Sequence, residues 1–169
     1  MPNQETLGEH RLGVRVGVGV EGAHALAYHR KVRRFACLAR SETRMKEPIH
    51  SADAPAAIGP YSQAIRAGGT IYLSGQTPLD PATGNLVQGI ENQVHRVFRN
   101  LRAVAQAAGC TLDDAVKVTV YLTNLDDFPK LNAIMPEYFS QPFPARTTVQ
   151  VTALPKAAQV EVDVILVPR

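Results

Sequence analysis

The clearest pattern in the chain is a strict alternation of apolar and polar residues over residues 116–123. Valine or leucine occupies every second position, and lysine, threonine or tyrosine fills the positions between them. Because successive side chains of a strand point to opposite faces, this alternation predicts a β-strand with one apolar and one polar face. Residues 65–67 and 70–74 flank the Gly68-Gly69 pair and predict a β-hairpin.

A helical period begins at Ile90. Apolar residues recur at three- and four-residue spacing as far as Ala108, and Gly109 follows at a position typical of a helix C-terminal glycine. The pattern predicts a long amphipathic helix over residues 90–108. A second helix is predicted over residues 126–139, where a proline at 129 fits the first turn and one at 136 should kink or shorten the helix.

Two further strands are predicted near the C-terminus, over residues 145–152 and 159–167, with a turn around Pro155. The element order is then ββαβαββ. Each helix has one apolar stripe to bury, so we predict a single-domain α+β fold with both helices packed on one face of a mixed sheet.

The other face of this sheet carries polar residues. If the last two strands pair as a hairpin, Arg146, Thr148 and Glu161 lie on one face within a few residues of each other. From the pattern alone this is a solvated face with an ion pair across the strands, which contributes well under ~1 kcal/mol when exposed.

Composition fits one globular domain, since 45% of the 169 residues are apolar. Charge divides the chain in two: residues 1–44 carry eight basic and four acidic side chains, a net +4, whereas residues 45–169 have a net charge of −1. We therefore predict a domain over residues 45–169 and an N-terminal extension, residues 1–44, that is disordered or dispensable.

The extension contains one formal motif, GxGxxG, over residues 17–22, with Glu42 about twenty residues further on. A dinucleotide site would need a βαβαβ unit, for which the segment is too short, so chance explains the motif better. The basic cluster of residues 29–34 suggests a nucleic-acid arm or a targeting sequence, although four acidic residues and a single serine disfavour a transit peptide. A start at Met45 would make the extension a mis-assigned segment.

The two cysteines, Cys37 and Cys110, form no CxxC pair, which excludes a disulfide framework and a cysteine metal centre. A reducing compartment, the cytoplasm, is expected, or the mitochondrion if the extension is a targeting segment. No apolar run approaches the ~20 residues that cross a bilayer, so we expect a soluble protein without a membrane partner.

Several separated segments of residues 45–169 occur in an order typical of one family. They are APAAIGPYSQA at 54–64, SGQTP at 74–78, AAG at 107–109, DDAVKVTV at 113–120, FPAR at 143–146 and LPK at 154–156. These segments resemble the RidA/YjgF family of reactive-intermediate deaminases.

The resemblance implies a chorismate-mutase-like fold assembled as a homotrimer, with a cleft between each pair of neighbouring subunits. It also implies hydrolysis of 2-imino acids, such as 2-iminobutanoate and 2-iminopropanoate, to 2-keto acids and ammonia, without a cofactor or a metal. A protonated imine carbon is already electrophilic, so this reaction needs an anchor, a placed water and a proton acceptor rather than a covalent nucleophile.

The resemblance also implies roles for individual residues. Arg146 aligns with the family's substrate-binding arginine, whose planar fork pairs with a carboxylate, and Glu161 aligns with the glutamate that activates water. Thr148 stands where many members have cysteine, and it should serve if that position acts through its backbone. The remaining residues that match cleft positions are Tyr61, Ser74, Gly75 and Asn132, the first two reaching the cleft from the adjacent subunit.

Other interpretations stay open at this stage. Tyr61 could be a packed turn residue, and Asn132 could cap the backbone of its own helix. A different class of function is a non-catalytic trimeric protein that binds or senses small keto or imino acids, although a pure binder does not require Glu161. Nucleic acid is not favoured as a partner, because residues 45–169 are slightly acidic and carry no basic stripe.

Overall fold

The structure is a computed structural model and describes residues 46–168. These residues form six strands and two α-helices, joined by loops and four short 3₁₀ turns. In chain order the regular elements are β1 (Glu47–Ile49), β2 (Ala64–Ala67), β3 (Thr70–Gln76), α1 (Ile90–Ala107), β4 (Ala115–Leu122), α2 (Phe128–Ile134), β5 (Ala145–Gln150) and β6 (Val160–Leu166).

The strands form one mixed sheet in the order β1-β2-β3-β6-β4-β5. All neighbours are antiparallel except β4 and β5, which run parallel. Parallel neighbours need a crossover connection, and α2 lies in the segment that makes it. The predicted mixed sheet is confirmed.

Both helices pack on one face of the sheet, as predicted. This helix face carries Val118 of β4 and Val162 of β6, which are fully buried beneath α1 residues such as Phe98 and Leu101. The opposite, open face carries Tyr121 of β4 and the odd-numbered residues of β6. The alternation in the sequences of β4 and β6 therefore places every second side chain on the helix face and the others on the open face.

The locally determined features agree with the sequence predictions. Gly68 and Gly69 have positive φ values of 56° and 79° at the β2–β3 turn, and Gly109, with φ 73°, follows the end of α1. The second helix ends at Ile134 and continues as a 3₁₀ turn over Met135–Glu137, because Pro136 cannot donate a helical hydrogen bond. Strand β1 was not predicted, since three residues that include a proline produce no period.

The last two strands do not pair as a hairpin, so the condition for the shared face is not met. Strand β6 lies between β3 and β4 at the centre of the sheet, whereas β5 is an edge strand. The burial of their side chains explains this order. Val160, Val162, Val164 and Leu166 are all completely buried, which requires neighbours on both sides, while β5 has mostly exposed residues that suit an edge.

This topology also corrects the predicted faces. Arg146 pairs with Val118 and Thr148 with Val120, so both lie on the helix face. Glu161 pairs with Tyr121 and lies on the open face. Within one chain, Arg146 and Thr148 therefore do not share a face with Glu161, contrary to the expectation from a terminal hairpin.

In the part of the chain that the structure describes, no helix is both long and apolar enough to span a bilayer. Cys110 is a buried free thiol. The predictions for residues 1–44, including the GxGxxG motif, Glu42, the basic cluster and Cys37, lie outside the described residues.

Candidate functional site

The predicted site residues divide between two cavities of residues 46–168. The first, of about 480 Å³, is lined by Tyr61, Ser74, Gly75, Lys156 and Glu161 together with an apolar wall, and is called here the Glu161 cavity. The second, of about 330 Å³, is lined by Asn132, Met135, Pro136, Phe143, Pro144 and Arg146, and is called the Arg146 cavity.

The apolar wall of the Glu161 cavity is formed mainly by the segment that precedes β2. Pro55, Ala56 and Ile58 line it, and Ile58 is 80% exposed at the rim. Such an exposed aliphatic side chain beside a cavity is typical of a contact surface for an apolar group. These side chains therefore offer an apolar contact surface for a small aliphatic group of a bound molecule.

Gln63 holds this wall in place. Its side chain is 2% exposed, its Nε2 donates to the carbonyl oxygens of Ser51 and Pro55 at 3.1 and 2.8 Å, and its Oε1 accepts from the N–H of Ser51 at 2.7 Å. A buried amide with these partners ties β2 to the preceding loop. Sequence reasoning did not identify Gln63 as a site residue, because its partners become neighbours only in the folded chain.

A β-bulge in β3 forms the floor of the same cavity. Leu73 pairs with Val164 and Gln76 with Val162, so Ser74 and Gly75 together stand opposite Asp163 alone. Ser74 is fixed twice: its Oγ donates to the carbonyl oxygen of Ser62 at 2.6 Å, and its N–H donates to that of Gln63 at 2.9 Å. The floor is therefore held by hydrogen bonds between β3 and the two residues that precede β2.

The carboxyl of Glu161 sits in an environment that disfavours its charge. Burial, and secondarily the nearby Asp163 carboxylate, raise its pKa above the ordinary glutamate value. Asp163 itself accepts a hydrogen bond from the Tyr121 hydroxyl at 3.0 Å, and this bond is the main cause of the raised pKa of Tyr121. Among residues 46–168, no hydrogen bond or ion pair engages the Glu161 carboxylate. Such a carboxyl is suited to exchange a proton.

Arg146 is held at the wall of the other cavity by contacts that leave its fork free. Its Nη1 lies 3.2 Å from the Met135 sulfur, and its guanidinium carbon lies 5.1 Å from the centre of the Phe128 ring. No carboxylate of residues 46–168 pairs with it. The geometry leaves a permanent positive charge available to an external anion.

A single chain cannot bring the two charged groups to one small ligand. Arg146 and Glu161 are on opposite faces, three residues apart along β4 and two strand spacings apart, or roughly 14 Å in the plane of the sheet. The structure thus groups Tyr61, Ser74 and Gly75 with Glu161, and groups Asn132 with Arg146.

Within residues 46–168, no group of three or more His, Cys, Asp or Glu side chains is placed to hold a metal ion.

The profile of the family described as "Endoribonuclease L-PSP" matches residues 51–167, more than half of the chain. The chain belongs to this family. The predicted membership of the RidA/YjgF group, which the same family includes, is thereby confirmed.

Curated relatives and solved structures of this RidA/YjgF family cover the same share of the chain. A RutC family protein from Pyrococcus horikoshii is 48% identical over 72% of this chain and 97% of its own length. A 2-iminobutanoate/2-iminopropanoate deaminase from Dermatophagoides farinae is 46% identical over 72% of this chain and 96% of its own. The crystal structure of RidA from an Antarctic Psychrobacter is 47% identical over 72% of this chain and 99% of that one, with a TM-score of 0.71.

Two further features of this RidA/YjgF member concern Thr148 and the turn at Lys156. The Thr148 hydroxyl oxygen is buried, has no hydrogen-bond partner in residues 46–168, and lines neither cavity. Lys156, which lines the Glu161 cavity, and Ala157 beside it both have positive φ, 58° and 57°. Sequence reasoning missed Lys156 as a lining residue, since no glycine marks this left-handed turn.

Proposed function

We propose that this chain is a hydrolytic deaminase that converts short-lived 2-imino acids into 2-keto acids and ammonia. The relatives named as 2-iminobutanoate/2-iminopropanoate deaminases, at 44–46% identity, support this assignment. The observation that carries it is the complementary character of the two cavities. One holds an arginine fork without an internal partner, and the other holds a glutamate whose pKa is raised by burial.

We propose further that the working unit is a homotrimer in which the Arg146 cavity of one protomer closes against the Glu161 cavity of the next. The placement of the two residues on opposite faces supports this arrangement, since a cyclic assembly joins unlike surfaces of successive subunits. A site of this kind would be incomplete in a monomer. Three equivalent clefts would form in the closed ring.

In the proposed mechanism Arg146 binds the substrate carboxylate through two charge-assisted hydrogen bonds, each contributing about 1.5–3 kcal/mol in a sheltered cleft. Glu161 accepts a proton from a water molecule as the water oxygen attacks the protonated imine carbon, which gives a tetrahedral carbinolamine. Glu161 then passes this proton to the amine nitrogen. The C–N bond breaks and ammonia leaves, while the carbinolamine hydroxyl gives its proton to the Glu161 carboxylate and the C=O bond of the 2-keto acid forms.

The other cleft residues would act by orientation. The Ser74 hydroxyl already donates to Ser62, so its free lone pair can only accept, which suits an imine N–H. Tyr61, half exposed at the rim, and the wall beside it would enclose the aliphatic substituent. Asn132 lines the Arg146 cavity and would hydrogen-bond the carboxylate. Thr148, two residues after Arg146 on β5, would contribute through its backbone once the cleft is assembled.

A non-catalytic trimer that binds keto or imino acids is the second candidate, and the free Arg146 fork suits it equally well. The pKa of Glu161 favours catalysis instead, because a binder of anions gains nothing from a buried acid nearby. The family description names an endoribonuclease, but residues 45–169 have a net charge of −1 and offer little attraction to phosphates.

The decisive experiment generates 2-iminobutanoate in situ from threonine with a dehydratase and follows release of 2-oxobutanoate. We expect Arg146→Ala to reduce kcat/KM by about 10²–10⁴-fold, because two charge-assisted hydrogen bonds are lost. Glu161→Gln should reduce kcat by about 10²–10⁴-fold through loss of the proton acceptor. Arg99→Ala and Glu91→Gln, which remove exposed charges of α1, serve as matched controls and should behave as wild type.

The same assay separates the candidates. Saturable binding of 2-oxobutanoate by the wild type without any acceleration over the uncatalysed hydrolysis would support the binding protein and reject the deaminase. Imine hydrolysis that survives both substitutions would reject the proposed site.

A further inference from the structure

Gly75 lies directly beneath the Glu161 carboxylate. A Cβ atom added to Gly75 would stand 2.1 Å from Oε1 of Glu161, 2.9 Å from its Cδ and 3.2 Å from its Cγ. Non-bonded carbon and oxygen atoms do not approach to 2.1 Å, so any side chain at residue 75 would displace the carboxylate or the backbone.

Backbone conformation does not explain this glycine. Five other glycines of residues 46–168 have positive φ, but Gly75 is not among them, so its φ is one that an alanine can adopt. What residue 75 requires is space. The space is filled by the functional end of a single side chain, Glu161.

The backbone beneath the carboxylate cannot easily retreat. Gly75 is the second residue of the β3 bulge, whose first residue, Ser74, is fixed to Ser62 and Gln63 by two hydrogen bonds. Bulges commonly re-aim a strand next to a functional site. Among the described residues no hydrogen bond holds the Glu161 carboxylate. Its close contact with the bulge at Gly75 is therefore what limits its position.

We infer that Gly75 is the positioning residue for Glu161: by carrying no side chain, it lets the carboxylate rest on the β3 bulge, with its proton-accepting oxygen directed into the cavity. This role rests on the proposed deaminase function, and it assigns to Gly75 a task beyond lining the cleft. The groups that face Glu161 are Asp163 on β6, Tyr121 on β4, and Tyr61 and Lys156 at the rim.

The test is a double-mutant cycle of Gly75→Ala with Glu161→Asp. We expect Gly75→Ala alone to lower kcat about 10²-fold and to change KM less than about 3-fold, since the arginine anchor is untouched. Aspartate is one methylene shorter, so its carboxyl group takes up the space of Cγ and Cδ of Glu161, 3.2 and 2.9 Å from the added Cβ, and the 2.1 Å contact of Oε1 is absent. In the Glu161→Asp background, Gly75→Ala should therefore lower kcat by about 10-fold or less, a smaller loss than in the wild type.

Gly59→Ala is the matched control, because Gly59 also has an ordinary φ and its added Cβ would meet only the Tyr61 ring, at 3.4 Å. It should leave kcat within about 3-fold of wild type. Equal losses of kcat for Gly75→Ala in the wild-type and Glu161→Asp backgrounds would overturn the inference, because they would mean that the methyl acts elsewhere.

A second measurement does not depend on turnover. In a ¹³C NMR titration, the Glu161 carboxyl resonance is identified by its loss in Glu161→Gln. Because burial raises the pKa of this carboxyl, its displacement toward solvent by Gly75→Ala should lower the pKa toward the ordinary value. An unchanged pKa would reject the positioning role. If the wild type accelerates no imine hydrolysis, the proposed function fails while this titration still decides the role of Gly75.

Discussion

The two cavities are built in different ways. Residues of the Glu161 cavity come from both ends of the domain, residues 55–79 and 155–161, and meet only when β6 enters the centre of the sheet. Residues of the Arg146 cavity come from one continuous segment, 132–146. The acid is half-buried over a hydrogen-bonded floor, whereas the arginine is exposed and held by one ring and one sulfur.

This difference follows from the chemistry of the two groups. The pKa of the Glu161 carboxyl is raised mainly by burial, which requires a cavity made by non-local packing. A guanidinium keeps its charge in any environment and needs only orientation, which a short local segment can provide. The proposed proton acceptor, Glu161, therefore depends on the whole fold, while the proposed anchor, Arg146, depends on α2 and its neighbours.

The largest expected effect comes from mixing two inactive variants. If Arg146 and Glu161 of different protomers share each cleft, trimers assembled at random from equal amounts of Arg146→Ala and Glu161→Gln chains should contain intact clefts. Each cleft draws its arginine from one chain and its glutamate from another, so about one quarter should be intact and activity should return to about one quarter of wild type.

Co-refolding of the two variants, with native mass spectrometry to count mixed trimers, provides this measurement. Each variant refolded alone is the control and should stay inactive. Mixed trimers without activity would mean that both residues act from one protomer.

A smaller effect is expected where the anchor is oriented by its aromatic neighbour. Phe128→Leu removes the ring under the Arg146 guanidinium, and loss of an exposed cation–π contact worth about 0.5–1 kcal/mol should raise KM about 2–5-fold with little change in kcat. Phe128→Tyr keeps the ring and should restore KM. Phe139→Leu, a core aromatic that lines neither cavity, controls for general loss of packing.

Glu161 should affect the stability of the folded chain as well as the rate of the proposed reaction. Because the pKa of Glu161 is raised in the folded chain, its protonated form is the one that folding favours. Wild type should therefore match Glu161→Gln in acid, below the ordinary glutamate pKa of about 4.3, and become less stable than this variant as pH rises through the raised pKa. Thermal unfolding of both proteins between pH 4 and 8 measures this difference. Parallel curves would indicate an unperturbed carboxyl.

The smallest expected effect concerns backbone strain at the turn that contains Lys156. Among described residues other than glycine, positive φ occurs only at Lys156, which lines the Glu161 cavity, and at Ala157 beside it. Lys156→Asn should raise the unfolding temperature slightly and the free energy of unfolding by less than about 1 kcal/mol. The reason is that asparagine tolerates positive φ better than lysine does. Lys156→Gln removes the same charge without that tolerance and should show no gain.

Local features of the fold could be predicted from sequence, and non-local ones could not. The period of α1, the glycine after it and the shortening of α2 at Pro136 depend on neighbours within a few residues. The pairing of β6 with β3 and β4 depends on competition for the centre of the sheet. Since β5 consequently pairs in parallel with β4, Arg146 faces the helices, and no alternation within β5 alone reveals this.

The candidate site follows the same rule. Motif resemblance predicted the residue types, and the structure placed Tyr61, Ser74, Gly75 and Glu161 together as one group. The resemblance did not predict that Arg146 lies on the helix face of the sheet, opposite to Glu161. The hydrogen bonds of Gln63 to residues 51–55 and the left-handed conformation of Lys156 in the predicted turn could not be read from the sequence, because both depend on contacts or torsions that the flanking residues do not encode.

The edge position of β5 has a consequence for a newly made chain. One row of its backbone N–H and C=O groups has no strand partner in a single chain, and its Thr147-Thr148-Val149 run favours extended structure. Such an edge is a template for unwanted strand addition and aggregation. Pro144, just before the strand, and the charge of Arg146 within it are features that discourage this, so Arg146 also protects the edge against misassembly.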